Sequence, residues 1–220
     1  MKLKTFTVGV ISALGLFSPA MAQPVSSTGF QAGDILARLR IDGVMPQNYS
    51  SSVTLTGSNA LAGSKVHTSD YVIPEVDLSY FFTQHISIEA IAGTSRHNAW
   101  ATTPIGTVKV GSTWVIPPIV TLQYHFSTIF GFTPYIGAGI SAMLFYNTHH
   151  AQDLNSVYFQ NSIGPAVEAG VDYNVTGNWY ANFAIKQSFA GTEVTINHGA
   201  IVGKTALDPL VIGAGIGYRF

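Results

Sequence analysis

The chain contains no cysteine, and only 10% of its 220 residues are charged, against roughly 25% in a typical soluble domain. The absence of cysteine excludes disulfide bonds and thiol chemistry. The shortage of charge leaves few side chains to solvate the outside of a soluble fold. After the N-terminus no run of roughly 18 apolar residues occurs, which excludes a bundle of membrane-spanning helices. The few basic residues form no patch that could hold nucleic acid, so we expect no nucleic-acid partner.

The first 22 residues have the three parts of a secretory signal peptide. Lys2 and Lys4 form a basic start, an apolar stretch follows over residues 6–17, and residues 20–22 (Ala-Met-Ala) have the small-x-small pattern of a cleavage site. We predict cleavage after Ala22, which leaves residues 23–220 as a single domain. Loss of the two lysines makes the formal net charge of −1 more negative by two.

Apolar and polar residues alternate with period two in eight segments of the chain. These segments are residues 34–44, 71–82, 86–94, 113–126, 134–145, 162–174, 179–189 and 210–220. Most are much longer than an average globular strand and suit strands that cross a membrane at a tilt, which need about 9–11 residues. Short and long gaps alternate between them, as in membrane barrels. We therefore predict an all-β fold, an eight-stranded antiparallel up-and-down transmembrane β-barrel.

The alternation alone does not say which face meets lipid, because a lipocalin-like calyx has the same pattern with its apolar face inside. Scarce charge favours an apolar face that points outward. Aromatic residues on that face gather near the strand ends, as in interfacial girdles; they are Tyr80, Tyr124, Phe126, Tyr173, Trp179, Tyr218 and Phe220. The last strand stays patterned to Phe220, so we predict that it pairs with the first strand and closes the barrel.

The polar faces of eight strands enclose a lumen only wide enough for side chains or one small ligand. We expect the charged residues on these faces to form a plug of paired ions toward the periplasm, without a catalytic role; they are Arg38, Arg40, Asp42, Glu75, Asp77, Glu89, Glu168, Asp172, Lys186 and Arg219. We expect five further residues on the same faces to form an apolar ligand pocket toward the external side, namely Leu36, Phe81, Ile91, Tyr135 and Met143.

Four prolines, Pro74, Pro117, Pro118 and Pro165, lie inside predicted strands, although proline cannot donate to a ladder. The simpler interpretation is a bulge that bends the wall. The alternative is a local break at Pro117 and Pro118, through which an apolar ligand leaves sideways into the membrane. Unbroken pairing on both sides of these two prolines would contradict this alternative.

A lipid-modifying enzyme would need Ser, His and a carboxylate together at the external rim. His149, His150 and Asp153 lie in one predicted loop, and His97 and His198 in others, without a recognisable spacing. We therefore predict that the protein is not an enzyme and has no metal or cofactor. A receptor or adhesin that acts through the long loops stays open as an alternative to transport.

Several segments resemble the outer membrane protein W (OmpW) family. They are "VIPEVDLSYFFTQHISIEAIAGT" (72–94), "WVIPPIVTLQYHF" (114–126), "FTPYIGAGISAMLFYN" (132–147), "SIGPAVEAGVDYNVTGNWYANFAIK" (162–186) and "DPLVIGAGIGYRF" (208–220). The resemblance implies a barrel in the bacterial outer membrane that passes small, mainly hydrophobic molecules, with phage or colicin receptors among its members. The first long loop, residues 45–70, has no match to the family. The expected partners are outer-membrane lipids, a small hydrophobic ligand and, through the terminal Phe220, the barrel-assembly machinery.

Overall fold

The computed structural model describes residues 29–47, 50–55, 58, 64–104 and 106–220. The predicted signal peptide lies outside these residues. No helix within the described ranges has the length and apolar character needed to cross a membrane.

The described residues form fifteen β-strands, with one 3₁₀ turn (Asn197–Gly199) between the thirteenth and fourteenth. The strands are β1 (Ile35–Met45), β2 (Ser50–Leu55), β3 (Lys65–Thr68), β4 (Tyr71–Phe81), β5 (Ile86–Gly93), β6 (Ser95–Thr103), β7 (Gly106–Ile116), β8 (Ile119–His125), β9 (Phe132–His150), β10 (Val157–Phe159), β11 (Ser162–Thr176), β12 (Trp179–Ser188), β13 (Gly191–Ile196), β14 (Ile201–Ala206) and β15 (Leu210–Arg219).

Eight of these strands close into an antiparallel barrel. The ring runs β1-β4-β5-β8-β9-β11-β12-β15 and returns to β1 through the ladder between β15 and β1. The closure extends to the last residue, because the amide of Phe220 donates to the Ile35 carbonyl at 2.9 Å. The predicted fold class is confirmed, as is the predicted pairing of the last strand with the first.

The apolar face of the barrel points outward and the charged face points inward. Leu39, Ile41 and Val72 are 55%, 68% and 70% exposed, whereas Arg38 and Arg40, which alternate with the first two, are 2% and 1% exposed. This distribution is the reverse of a lipocalin-like calyx and requires a lipid solvent around the wall. Aromatic pairs such as Tyr80–Phe82, Tyr124–Phe126 and Tyr218–Phe220 gather at the end of the barrel that carries the short connections, here called the turn end.

The opposite end, here called the outer end, extends well beyond the barrel in two sheets. One consists of β10, β13, β14 and β2. The other, here called the second outer sheet, consists of β3, β6, β7 and the last part of β9. Most of these residues were predicted to form long loops, and that prediction is corrected. Thr and Trp in segments such as "HNAWATT" favour strands, and the barrel strands continue into these sheets.

The predicted fourth strand, residues 113–126, is divided at Pro117 and Pro118 into the end of β7 and the start of β8. On the β5–β6 side, Ile91 pairs with Ile119 and the next pair is Ser95 with Val115. The three intervening positions on each strand, 92–94 and 116–118, form no ladder pairs with each other, although the register is the same on both sides of them. We call this interruption the ladder gap.

The opposite edge of the same strand stays continuous with β9. The Ala142 amide donates to the Pro118 carbonyl at 3.0 Å, between the pairs of Ile119 with Ser141 and Ile116 with Leu144. The register does not shift there, so the prolines do not produce a bulge. The wall is therefore interrupted on one edge only, where proline supplies no N–H.

Candidate functional site

The turn end of the lumen is filled by an apolar floor. The Phe30 ring stacks on Phe81 and Tyr180, with ring centroids 4.2 and 5.1 Å apart, and Leu36 belongs to the same buried cluster. Arg219 lies over the Tyr180 ring and donates to the Gly29 carbonyl at 2.7 Å, which anchors the chain segment that carries Phe30. The prediction that Leu36 and Phe81 line an outer pocket is therefore corrected. Leu36 lies at the start of β1 and Phe81 at the end of β4, so both are at the turn end of the barrel. Phe30, which lies outside every predicted strand, packs in the same cluster.

Above this floor, Arg38 is the centre of a buried ion network. Its guanidinium donates to Asp172 at 2.8 and 3.0 Å, to Asp77 at 2.8 Å and to Glu89 at 2.8 Å, and it also reaches the Ser79 hydroxyl at 2.8 Å. None of the three ion pairs has any exposed side-chain surface. A planar fork with five donors is suited to bridging several carboxylates from different strands in this way.

Arg40 and Lys186 continue the network toward the outer end. Arg40 contacts Glu75 at 2.6 Å and Asp77 at 2.9 Å, and the Lys186 ammonium donates to the same Glu75 at 2.6 Å. Asp42 lies beside Glu75 in the field of these cations.

Polar side chains complete the layer. Glu168 accepts from Gln123 at 2.9 Å and from the Thr121 hydroxyl. Asn182 donates to the Tyr135 hydroxyl at 3.2 Å, and Arg38 lies over the Tyr135 ring. Tyr135 thus belongs to the ion network and not to an apolar pocket, which corrects the assignment made for it from the sequence.

The network occludes the middle of the lumen. Of the ten predicted plug residues, nine lie in this layer, and Arg219 lies at the floor beneath it. All ten side chains are buried. A continuous water-filled pore would have to separate several ion pairs that have no solvent to replace them, at a cost of several kcal/mol for each uncompensated ion. The arrangement supports a closed barrel and not an open diffusion channel.

A second apolar region begins above the network, at the outer end. It is a narrow cavity of about 50 Å³ whose walls come from β1, the second outer sheet and the segments around β10 and β14. Its apolar lining includes Val44, Val115, Met143, Phe145, Phe159 and Leu207. Pro117 lines it as well, so the cavity touches the strand segment that forms one edge of the ladder gap. Ile91 packs on Ile119 and Ala166 just below the gap.

Of the five residues predicted for the pocket, only Met143 lines this cavity. Most of the other residues in its wall come from segments that were predicted to be loops, including His97, Phe159 and Leu207, whereas Phe145 is the last residue of a predicted strand. The signal that could have identified them is the continued alternation of Ala99, Ala101 and Val110, which form a buried cluster with Phe159 beyond the barrel.

One polar pair interrupts the apolar lining. Ser95 lies 2.8 Å from Nε2 of His97, and Nδ1 of His97 lies 3.0 Å from the Ser69 carbonyl. Because a carbonyl can only accept, Nδ1 carries the proton and Nε2 accepts from the Ser95 hydroxyl. Burial lowers the pKa of His97, so the ring stays neutral. The third group is a carbonyl where a hydrolase triad has a carboxylate, so the pair is a hydrogen-bonding site in an apolar cavity.

Apart from His97, the candidate histidines lie away from the cavity. His149 and His150 end β9 and, together with Asp153, line an open groove on the outside of the protein. His198 lies in the 3₁₀ turn. Within the described ranges there is no group of three or more His, Asp or Glu residues placed to hold a metal ion.

Comparison with known proteins agrees with this architecture. The model of the OmpW family matches residues 31–220. The chain belongs to the OmpW family. It is 39% identical over 212 residues to outer-membrane protein y4mB of Sinorhizobium fredii, a match that covers 95% of this chain and 90% of the relative. The crystal structure of OprG from Pseudomonas aeruginosa, at 26% identity, superposes with a TM-score of 0.81 over 88% of this chain and 98% of OprG.

A third relative has a name that refers to metabolism. It is the dibenzothiophene metabolism operon protein PahQ of Pseudomonas aeruginosa, 26% identical over 176 residues, which cover 78% of this chain and 82% of the relative. Family membership and fold together place this OmpW-family barrel in the bacterial outer membrane. The turn end is then periplasmic and the outer end external, because outer-membrane barrels have short periplasmic turns and long external extensions.

Proposed function

We propose that this OmpW-family barrel admits small, mainly hydrophobic molecules at its outer end and releases them sideways into the outer membrane through the ladder gap. The observation that carries the proposal is the position of Pro117, which lines the apolar cavity and lies in the gap itself. A molecule in the cavity is therefore next to an edge where the described barrel wall lacks ladder hydrogen bonds.

The lumen below supports a sideways route over a downward one. An apolar molecule that moved toward the periplasm would have to separate Arg40 and Lys186 from Glu75 and then displace Phe30 from the floor. Separating buried ion pairs costs several kcal/mol, whereas passing the ladder gap breaks no backbone hydrogen bond. The outside of the wall beside the gap is itself apolar, since Ile116 and Val120 are 38% and 40% exposed there.

The size and chemistry of the cavity indicate the class of ligand. At about 50 Å³ it is far smaller than the roughly 300 Å³ of ordinary ligand pockets, so the structure is a closed state and entry must displace a side chain. Met143 is suited to that role because its unbranched side chain repacks easily. The Ser95 hydroxyl oxygen, whose proton is donated to His97, can still accept one hydrogen bond, which suits an apolar molecule with a single hydroxyl group. The name of the relative PahQ, which refers to metabolism of an aromatic thiophene, is consistent with such ligands.

The test is uptake of an apolar fluorescent solute, either into cells that produce the barrel or into proteoliposomes that contain the purified barrel. Met143→Trp fills the cavity, and Leu144→Trp is its matched control, because Leu144 is the next residue on β9 and is 40% exposed on the lipid side. We expect Met143→Trp to reduce uptake at least tenfold and Leu144→Trp to leave it unchanged. Equal uptake by both variants, or uptake accompanied by conductance of small ions, would refute the proposed route.

A further inference from the structure

The outward face of the second outer sheet changes from apolar to aromatic to cationic with distance from the barrel. Ile116 and Leu144 pair across β7 and β9 at the top of the lipid-facing wall. The next outward-facing row contains Arg96, Trp114 and Tyr146, which are direct ladder partners. Because Trp and Tyr collect at the boundary of a bilayer, this row lies at the level of the lipid headgroups.

The cations of this face lie in that row and immediately above it. Ser112 pairs with His149 in the row above, and Lys109 faces outward one row further, opposite Trp100. Arg96, Lys109, His149 and His150 line one open groove together with Asp153. Arg96 donates to the Ser112 hydroxyl at 3.1 Å, which directs its guanidinium toward the groove.

This concentration of cations is unusual for the molecule. Outside the lumen, the described residues include only four lysines and arginines, namely Lys65, Arg96, Lys109 and Lys204. Lys204 is already paired with Glu193 at 3.2 Å. Among the described residues, neither Arg96 nor Lys109 has a carboxylate within ion-pair distance. Two of the four outward cations are thus available to an external anion on the same groove.

We propose that this groove binds the phosphate group of a phosphorylated glycolipid of the outer leaflet. The surface is continuous with the wall that contacts acyl chains, and it meets the headgroup level with two free cations and two histidines. Arginine forms paired hydrogen bonds with phosphate oxygens, and lysine adds a point charge. A lipid whose acyl chains lie on Ile116 and Leu144 would place its headgroup against Trp114, Tyr146 and Arg96. The headgroup site does not rest on the proposed transport route, although the acyl chains would lie beside the ladder gap at Ile116.

The test measures binding of lipid A to the detergent-solubilised full-length barrel by native mass spectrometry. Wild type is compared on bis-phosphorylated and fully dephosphorylated lipid A, and Arg96→Gln and Lys109→Gln are tested singly and together. The matched control is Lys204→Gln, which removes the same charge from the other outer sheet. Folding of each variant is checked by its heat-modifiable mobility on a gel.

We expect bis-phosphorylated lipid A to bind wild type and dephosphorylated lipid A to bind at least tenfold more weakly. Each groove substitution should weaken binding about fivefold, the contribution of one cation near a charged surface, and Lys204→Gln should change it less than twofold. Equal binding of the two lipids to the wild-type barrel overturns the proposal, and this result does not depend on whether the variants fold. An unchanged affinity in the folded double variant also overturns it, as does saturable binding of inorganic phosphate without binding of lipid A.

Discussion

Replacement of Arg38 by methionine should destabilise the barrel more than any exposed charge substitution. The guanidinium satisfies Asp77, Glu89 and Asp172, whose side chains have no exposed surface. Asp77 and Glu89 retain Arg40 as a partner in the variant, but Asp172 retains only the Asn182 amide at 2.9 Å. Removal of one partner from a buried ion group typically costs about 3–5 kcal/mol, so we expect the free energy of unfolding to fall by about that amount.

The assay is urea unfolding in lipid vesicles, followed by tryptophan fluorescence. Lys204→Met is the control, because it breaks an ion pair whose lysine is 68% exposed and should cost less than about 1 kcal/mol. Adding Asp172→Leu to Arg38→Met should recover part of the loss, since it removes the carboxylate left without a cation. A loss below about 1 kcal/mol for Arg38→Met would refute the reasoning and mean that water reaches these carboxylates.

Three further predictions concern the gap, the cavity and the wall. Replacing Pro117 and Pro118 by valine restores two N–H donors, of which the one at position 117 faces the gap because the backbone of residue 118 faces β9. Hydrogen exchange at Gly93 should therefore slow, and uptake of an apolar solute should fall at least tenfold. Burial lowers the pKa of His97, so at acid pH the unfolded chain binds a proton that the native ring excludes. The free energy of unfolding should therefore decline as the pH falls below about 6.5. His97→Gln should reduce that decline, measured as unfolding midpoints from neutral to acid pH. Gly139→Ala should lower the yield of folded barrel on a gel, because the new Cβ would overlap the Val120 carbonyl oxygen, whereas Gly43→Ala has room and should fold.

The barrel strands were predictable because each has one face in lipid and one in a crowded lumen, which imposes strict alternation. The strong contrast between Leu39 or Ile41 and Arg38 or Arg40 is the clearest example. The outer sheets were not recognised, because each of their two faces meets a mixed polar and apolar environment. Residues such as Thr107 and Thr195 fit either face. Alternation is informative only where the two sides of a strand meet different solvents.

The charged residues of the lumen could be named from the sequence, but their partners could not. Arg38 and Asp172 are 134 positions apart, and only the register of the closed ring brings them together. The same reason explains why Leu36, Phe81 and Tyr135 were assigned to the wrong layer, because a position on the inner face does not state the height at which a side chain meets its neighbours. The aromatic floor also depends on Phe30, which lies outside any patterned segment.

Arg38 and Arg40 belong to the first strand of the ring, while Asp172 and Lys186 belong to the sixth and seventh. Until β1 meets β15 these groups face an unfinished concave sheet and cannot reach one another. A partly formed sheet in hydrocarbon would expose several bare charges, each at a cost of several kcal/mol. Insertion of single hairpins into the bilayer is therefore unfavourable, and we expect the strands to curl and neutralise one another while their inner surface is still wet.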